Sequence, residues 1–137
     1  METVSPNMPL DHSPLSLTTL VTGASSGFGL AIAQRFLAAG HRVVACARRR
    51  DPLRSLAARF QGRVLPLQLD VTDSTAIEST LGALLSPFKD VDVLVNNAGL
   101  ALGLGPAQEA NTDAWDQMIA TNCRGLVHVT VRCSLGW

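Results

Sequence analysis

Thr22-Gly23-Ala24-Ser25-Ser26-Gly27-Phe28-Gly29 decides how this chain is read. The octet follows a short apolar run, Leu17 to Val21, and opens an apolar-periodic segment from Leu30 to Ala39. Strand, glycine turn, helix is the setting in which the pyrophosphate of a dinucleotide is cradled. Gly23 can take backbone angles closed to other residues. Gly27 lets the main chain approach phosphate closely, and Gly29 lets the helix pack tightly on the strand layer. Free N–H groups at the helix start suit an anion, Ser25 and Ser26 add hydroxyls, and Ala24 and Phe28 complete the candidate set. The alternative is an ordinary tight turn with no ligand.

Outward from the octet, strand and helix alternate. Strands are expected at Thr18–Thr22, Arg42–Ala47, Val64–Leu69 and Val91–Asn96. The first helix runs from about Gly27 to Ala39, with Gly40 where a left-handed C-cap is wanted. A second starts near Asp51 with Pro52 in its first turn. A third begins near Asp73 or Ser74, with Thr75 and Glu78 placed for a capping box. A fourth starts near Thr112 and runs past Asn122. The strands are rich in Val and Leu without clean alternation, as a parallel sheet covered on both faces requires. The expected fold is an α/β Rossmann doubly wound parallel sheet, the N-terminal part only, in strand order 3-2-1-4. Its ligand crevice lies outside the carboxyl ends, where the order reverses.

The other candidate residues fall at those carboxyl ends. After the second strand come Arg48, Arg49 and Arg50, with no carboxylate to repel a 2′-phosphate. Guanidinium forks match phosphate oxygens, which favours NADP over NAD. A solvated basic start to the next helix is the alternative, and Arg50 fits it best. Asp70 can accept from an adenine amino group while Val71 packs on the ring, or Asp70 can cap its own turn. Asn96 and Asn97 can brace neighbouring loops, and small Ala98 and Gly99 leave room for a flat ligand. Asp92 reads as an anchor, Trp115 as core filler, and Asn122 as an unusual amide inside an apolar helix.

Composition bounds the rest. The 137 residues suffice for one domain, and 47% hydrophobic against 16% charged content predicts a buried core. A formal net charge of +0 gives no case for nucleic acid or an anionic membrane. No stretch approaches about 18 unbroken apolar residues, so no membrane span is expected. Cys46, Cys123 and Cys133 are odd in number without C-x-x-C spacing, and His12, His41 and His128 are scattered. No metal site is expected, and a reducing, cytoplasmic setting is the plain reading. Residues 1–16, rich in Pro, Ser and Asn, read as a disordered leader without a signal peptide, and 17–137 as a partial NADP-binding domain.

Together these residues resemble the classical short-chain dehydrogenases/reductases. Thr22-Gly23-x-x-x-Gly27-x-Gly29 looks like the family's cofactor motif. Asp70 is similar to its adenine-side aspartate, and Asn96-Asn97-Ala98-Gly99 to its strand-four motif. Asn122, in Thr121-Asn122-x-x-Gly125, looks like the asparagine of its catalytic tetrad. Gly27-Phe28-Gly29, Arg48-Arg49 and the run from Asn96 to Gly103 further resemble the NADP-dependent 3-hydroxy acid dehydrogenases that also oxidise serine.

The resemblance implies hydride transfer between nicotinamide and a carbonyl carbon, with a hydroxy acid or its carbonyl form as substrate. It also implies a homodimer or homotetramer. In the family a tyrosine is the general acid/base, helped by a lysine; a serine holds the substrate oxygen and the asparagine a water. Only the asparagine has a counterpart here. The chain has no tyrosine, and its single lysine, Lys89, sits before the fourth strand. After Thr130 the sequence departs from the family pattern, which suggests a truncated product or a shifted reading frame. A nucleotide-binding or interaction module without catalysis is the alternative function.

Overall fold

The computed structural model describes residues 16–103 and 105–136. Apart from Ser16, the expected leader lies outside the described residues. Four parallel strands, β1 (Thr18–Thr22), β2 (Arg42–Ala47), β3 (Val64–Gln68) and β4 (Val93–Val95), form one sheet in the order β3-β2-β1-β4. β1 pairs with β2 from Thr18↔Arg42 to Thr22↔Cys46 and with β4 from Thr19↔Val93 to Val21↔Val95. The order therefore reverses at β1, as the strand–helix rhythm predicts.

Side-chain alternation along the buried strands builds two cores. Val21, Val43 and Ala45 point to one face, where Ala33 and Leu37 of α1 (Gly27–Ala38) and Leu53 and Leu56 of α2 (Asp51–Arg59) cover them. Leu20, Val44 and Cys46 point to the other, against Ile77 and Leu81 of α3 (Ser74–Gly82) and Val129 of α5 (Leu126–Ser134). Between α3 and α5 the chain forms a short 3₁₀ turn (Ala107–Glu109), helix α4 (Thr112–Ile119) and a π-helical segment (Ala120–Gly125).

α1 ends where its sequence says it should. Gly40, at φ +91°, lets its own N–H reach Leu37 O (3.0 Å) and the His41 N–H reach Phe36 O (3.1 Å). That is the paired Schellman closure. The Arg63 guanidinium adds a second cap, donating to Leu37 O at 2.7 Å.

Several expectations are corrected. α3 is capped by Asp73, whose carboxylate accepts from the Ala76 N–H at 3.0 Å, and not by a Thr75–Glu78 box. Glu78 instead reaches Arg132 of α5 at 3.3 Å. β4 is shorter than Val91–Asn96. At its start the Asp92 carboxylate accepts the Thr18 N–H (2.8 Å), a side-chain substitute for a ladder carbonyl. At its end the backbone of Asn97 and Ala98 turns away to the Thr22 hydroxyl. β3 stops at Gln68, one residue early.

Trp115 is not core filler, being 46% exposed, because α4 buries none of its residues. Ile119 on α4, Val127 and Val131 on α5, and Leu135 just past the end of α5 are likewise exposed, at four-residue spacing. No described helix is long and apolar enough to cross a membrane.

Candidate functional site

The carboxyl ends of all four strands open into one groove of about 580 Å³. Its walls come from four short segments and one helix. The glycine turn contributes Gly23, Ser25 and Ser26, and the end of β2 contributes Cys46, Ala47, Arg48 and Arg49. The segment after β3 adds Leu69, Asp70 and Val71, and the segment after β4 adds Asn97 to Leu100. Thr121 of the π-helical segment closes it.

The glycine turn is held from two sides. Gly23 sits at φ +63°, and the following Ala24 donates its N–H to Cys46 O at 3.0 Å. The Asn97 side-chain amide donates to Gly23 O at 3.1 Å. Gly29 leaves the space for that latch: a Cβ there would run into the Gly23 carbonyl and the Asn97 amide nitrogen. The absent side chain thus serves a loop-to-loop hydrogen bond more than helix-on-sheet packing.

Ser26 is the N-cap of α1 in an extended conformation, makes no side-chain cap, and no acidic residue occupies the first turn. The first-turn N–H groups and the positive helix end are left to an outside anion.

Thr22, read from sequence only as the first letter of the motif, is a keystone. It is 2% exposed, and its hydroxyl oxygen accepts from the N–H groups of Asn97 and Ala98, both at 3.0 Å. The strand-four loop therefore hangs on the end of β1. A threonine closing the apolar run Leu17 to Val21 was the available signal.

Arg48 and Arg49 are exposed, line the groove and take part in no ion pair among the described residues. Arg50 opens α2 and does not line the groove. Asp70 caps its own turn, the second of its two expected roles, and also lines the groove. Its Oδ1 accepts from the Thr72 N–H (2.9 Å) and hydroxyl (2.8 Å), an Asx turn, while the residue stays in the groove wall. The Thr72 backbone bond lowers the carboxyl pKa most, with the Thr72 hydroxyl and the Arg48 charge adding to it.

Asn122 lies beside the groove. Its amide pairs with both backbone groups of Leu100, accepting the N–H and donating to the carbonyl at 2.8 Å each. The amide is hydrogen-bonded although the residue is exposed. The π turn that carries it was not legible as a helix irregularity. It docks through Gly125, where any Cβ would meet Val71 O at 2.8 Å and Val71 Cγ2 at 2.9 Å. Thr121, Leu100 and Leu69 enter the walls without having been singled out.

Of the residues put forward from sequence, Ala24, Gly27, Phe28, Gly29 and Asn122 are outside the walls. Ala24 and Gly29 are buried beneath the turn, and Phe28 is 84% exposed. Burial pushes the Cys46 thiol up to about 12, so it is an inert wall residue. Among the described residues no group of three or more His, Cys, Asp or Glu could hold a metal ion.

A family model described as short chain dehydrogenase matches residues 17–135. The chain is 48% identical over 114 residues to an NADP-dependent 3-hydroxy acid dehydrogenase of Salmonella typhi, covering 83% of this chain and 46% of that protein. It is 45% identical over 116 residues to a serine 3-dehydrogenase of Agrobacterium fabrum, covering 85% and 47%. A closed form of serine dehydrogenase complexed with NADP+ superposes with a TM-score of 0.85 at 43% identity, over 88% of this chain and 48% of that one. The chain spans about half the length of these relatives.

Proposed function

The chain belongs to the short-chain dehydrogenases, and from that premise we propose that it is the NADP-binding half of an oxidoreductase. Its reaction is hydride transfer between a hydroxy acid and the corresponding carbonyl compound. One observation carries the reading: Ser26, at the uncapped start of α1, and the Arg48–Arg49 pair line the same groove. A pyrophosphate fits the first and a 2′-phosphate the second. The groove's small residues, Ala98 and Gly99, leave space for the flat parts of the cofactor. When bound, the nicotinamide supplies the hydride carrier.

In this reading Gly23, Ser25, Ser26 and the first turn from Gly27 to Gly29 receive the pyrophosphate, with Ala24 and Phe28 flanking them. Arg48 and Arg49 receive the 2′-phosphate. Asp70 accepts from the adenine amino group through the oxygen its Asx turn leaves unused, and Val71 packs on the ring. Asn97, Ala98 and Gly99 shape the wall toward the reacting end, and Asn122 belongs to the proton relay.

The names of the relatives support a hydroxy acid such as serine as the substrate. A cytoplasmic location and a homo-oligomer are part of the same reading. Neither nucleic acid nor a membrane is a partner in it.

The second reading, a binding module without turnover, is favoured by one fact: the chain contains no tyrosine. General acid/base help is worth about 10²–10⁴-fold, so these 137 residues alone are expected to bind and not to turn over. Titration with NADPH against NADH tests the binding reading. Tighter NADPH binding supports it, and indifference to both at millimolar levels ends it. NADPH oxidation with short keto acids then separates enzyme from module.

A further inference from the structure

The last residue of β3, Gln68, is exposed, yet its side chain is committed. Its amide Nε2 donates to the Arg48 carbonyl at 3.1 Å. One rung earlier, the Leu69 N–H donates to Ala47 O at 2.9 Å. The β2–β3 ladder ends at Ala47↔Gln68, so the side chain adds a rung where the backbone pairing stops. Arg48 is the first residue beyond β2 and the first guanidinium in the groove wall.

We propose that Gln68 is a positioning residue for coenzyme discrimination: it fixes the Arg48 main chain so that the guanidinium faces the 2′-phosphate. The proposal rests on the NADP reading above. An arginine fork is useful only where its origin is fixed, because ordering a free side chain and loop costs binding free energy. A competing anion also stands nearby. Asp70 is close enough for the Arg48 charge to affect its carboxyl. A main chain released at residue 48 gives the guanidinium freedom to turn to Asp70 and away from ligand. Gln68 touches neither ligand nor reacting atoms in this scheme and acts through Arg48 alone.

The test is a double-mutant cycle on the full chain. Dissociation constants for NADPH and NADH are measured for the wild type, Gln68→Met, Arg48→Ala and the double variant. Methionine keeps the length and removes the donor, and an exposed site spares the core. One lost hydrogen bond corresponds to about two- to tenfold in affinity. NADPH binding is expected to weaken by that factor in Gln68→Met while NADH binding and the melting temperature hold. In the Arg48→Ala background the same substitution is expected to change nothing.

Equal weakening of both nucleotides, additive effects of the two substitutions, or no effect of Gln68→Met would overturn the positioning role while leaving the NADP reading intact. A wild type without preference for NADPH removes the NADP reading and this inference with it.

Discussion

Asn122 and Leu100 are joined by two hydrogen bonds of 2.8 Å, one side-chain amide matched to both backbone groups of a single residue. The π-helical segment (Ala120–Gly125) and the loop after β4 thereby become one wall of the groove. A π turn is a known accompaniment of functional sites, and here it coincides with the residue that the family resemblance places in catalysis.

Removing that pair loosens the wall. Asn122→Ala is expected to cost about 1–2 kcal/mol in urea unfolding, since alanine's better helix propensity only partly offsets two lost bonds. NADPH affinity falls with it. Unchanged stability would show that Leu100 is held by something else.

The two glycines at the head of α1 should separate by mechanism. Gly27 has φ +57° but open space around it, so Gly27→Ala costs only backbone strain, about 1–2 kcal/mol. Gly29 has ordinary helical backbone, yet its Cβ would strike the Gly23 carbonyl and the Asn97 amide. Gly29→Ala is expected to cost about 3 kcal/mol or more, or to abolish folding. Thermal melts of the two variants check the order, and the reverse order refutes the latch.

Asp70 gives an acid limb to stability. Its folded pKa lies below the ordinary 3.8, chiefly through the Thr72 backbone bond. The stabilisation is therefore complete above the unfolded value and fades as pH falls through the folded one. Asp70→Asn is expected to be less stable than the wild type near neutrality, and the gap to close below about pH 4. Denaturant midpoints across that range measure it, and a constant gap contradicts the assignment.

The three thiols should react at different rates. Cys123 is exposed, whereas Cys46 is buried with its thiol pushed up to about 12, and Cys133 is half-buried and also raised by burial. A disulfide reagent at mildly alkaline pH is expected to label one thiol quickly and two slowly under native conditions. Three equal rates would mean that the β2–α5 core opens easily.

Much of the groove was legible in advance because its chemistry is local. The glycine turn, Arg48-Arg49 and Asp70-Val71 each lie where a strand hands over to the next segment, so finding the strands also located them. Trp115 failed as a core residue because periodicity reports that a face is apolar, not that another element covers it. The roles of Thr22, Gln68 and Thr121 were not legible for a related reason. Each acquires its role from a partner 20 or more residues away, or from a helix irregularity that leaves no compositional mark.

The sequence by itself determined the strand–helix alternation, the parallel order 3-2-1-4 and the absence of a carboxylate beside the arginines. The alternation and the missing carboxylate are properties of neighbouring residues, and the order follows from the alternation through the right-handed crossover rule for doubly wound sheets. Only the tertiary structure decided that Thr22 carries the Asn97–Ala98 loop, that Gly29 makes room for the Asn97–Gly23 bond, and that Asn122 grips Leu100. Those depend on which backbone groups are left unpaired when the strands end. That remainder exists only once the sheet has formed.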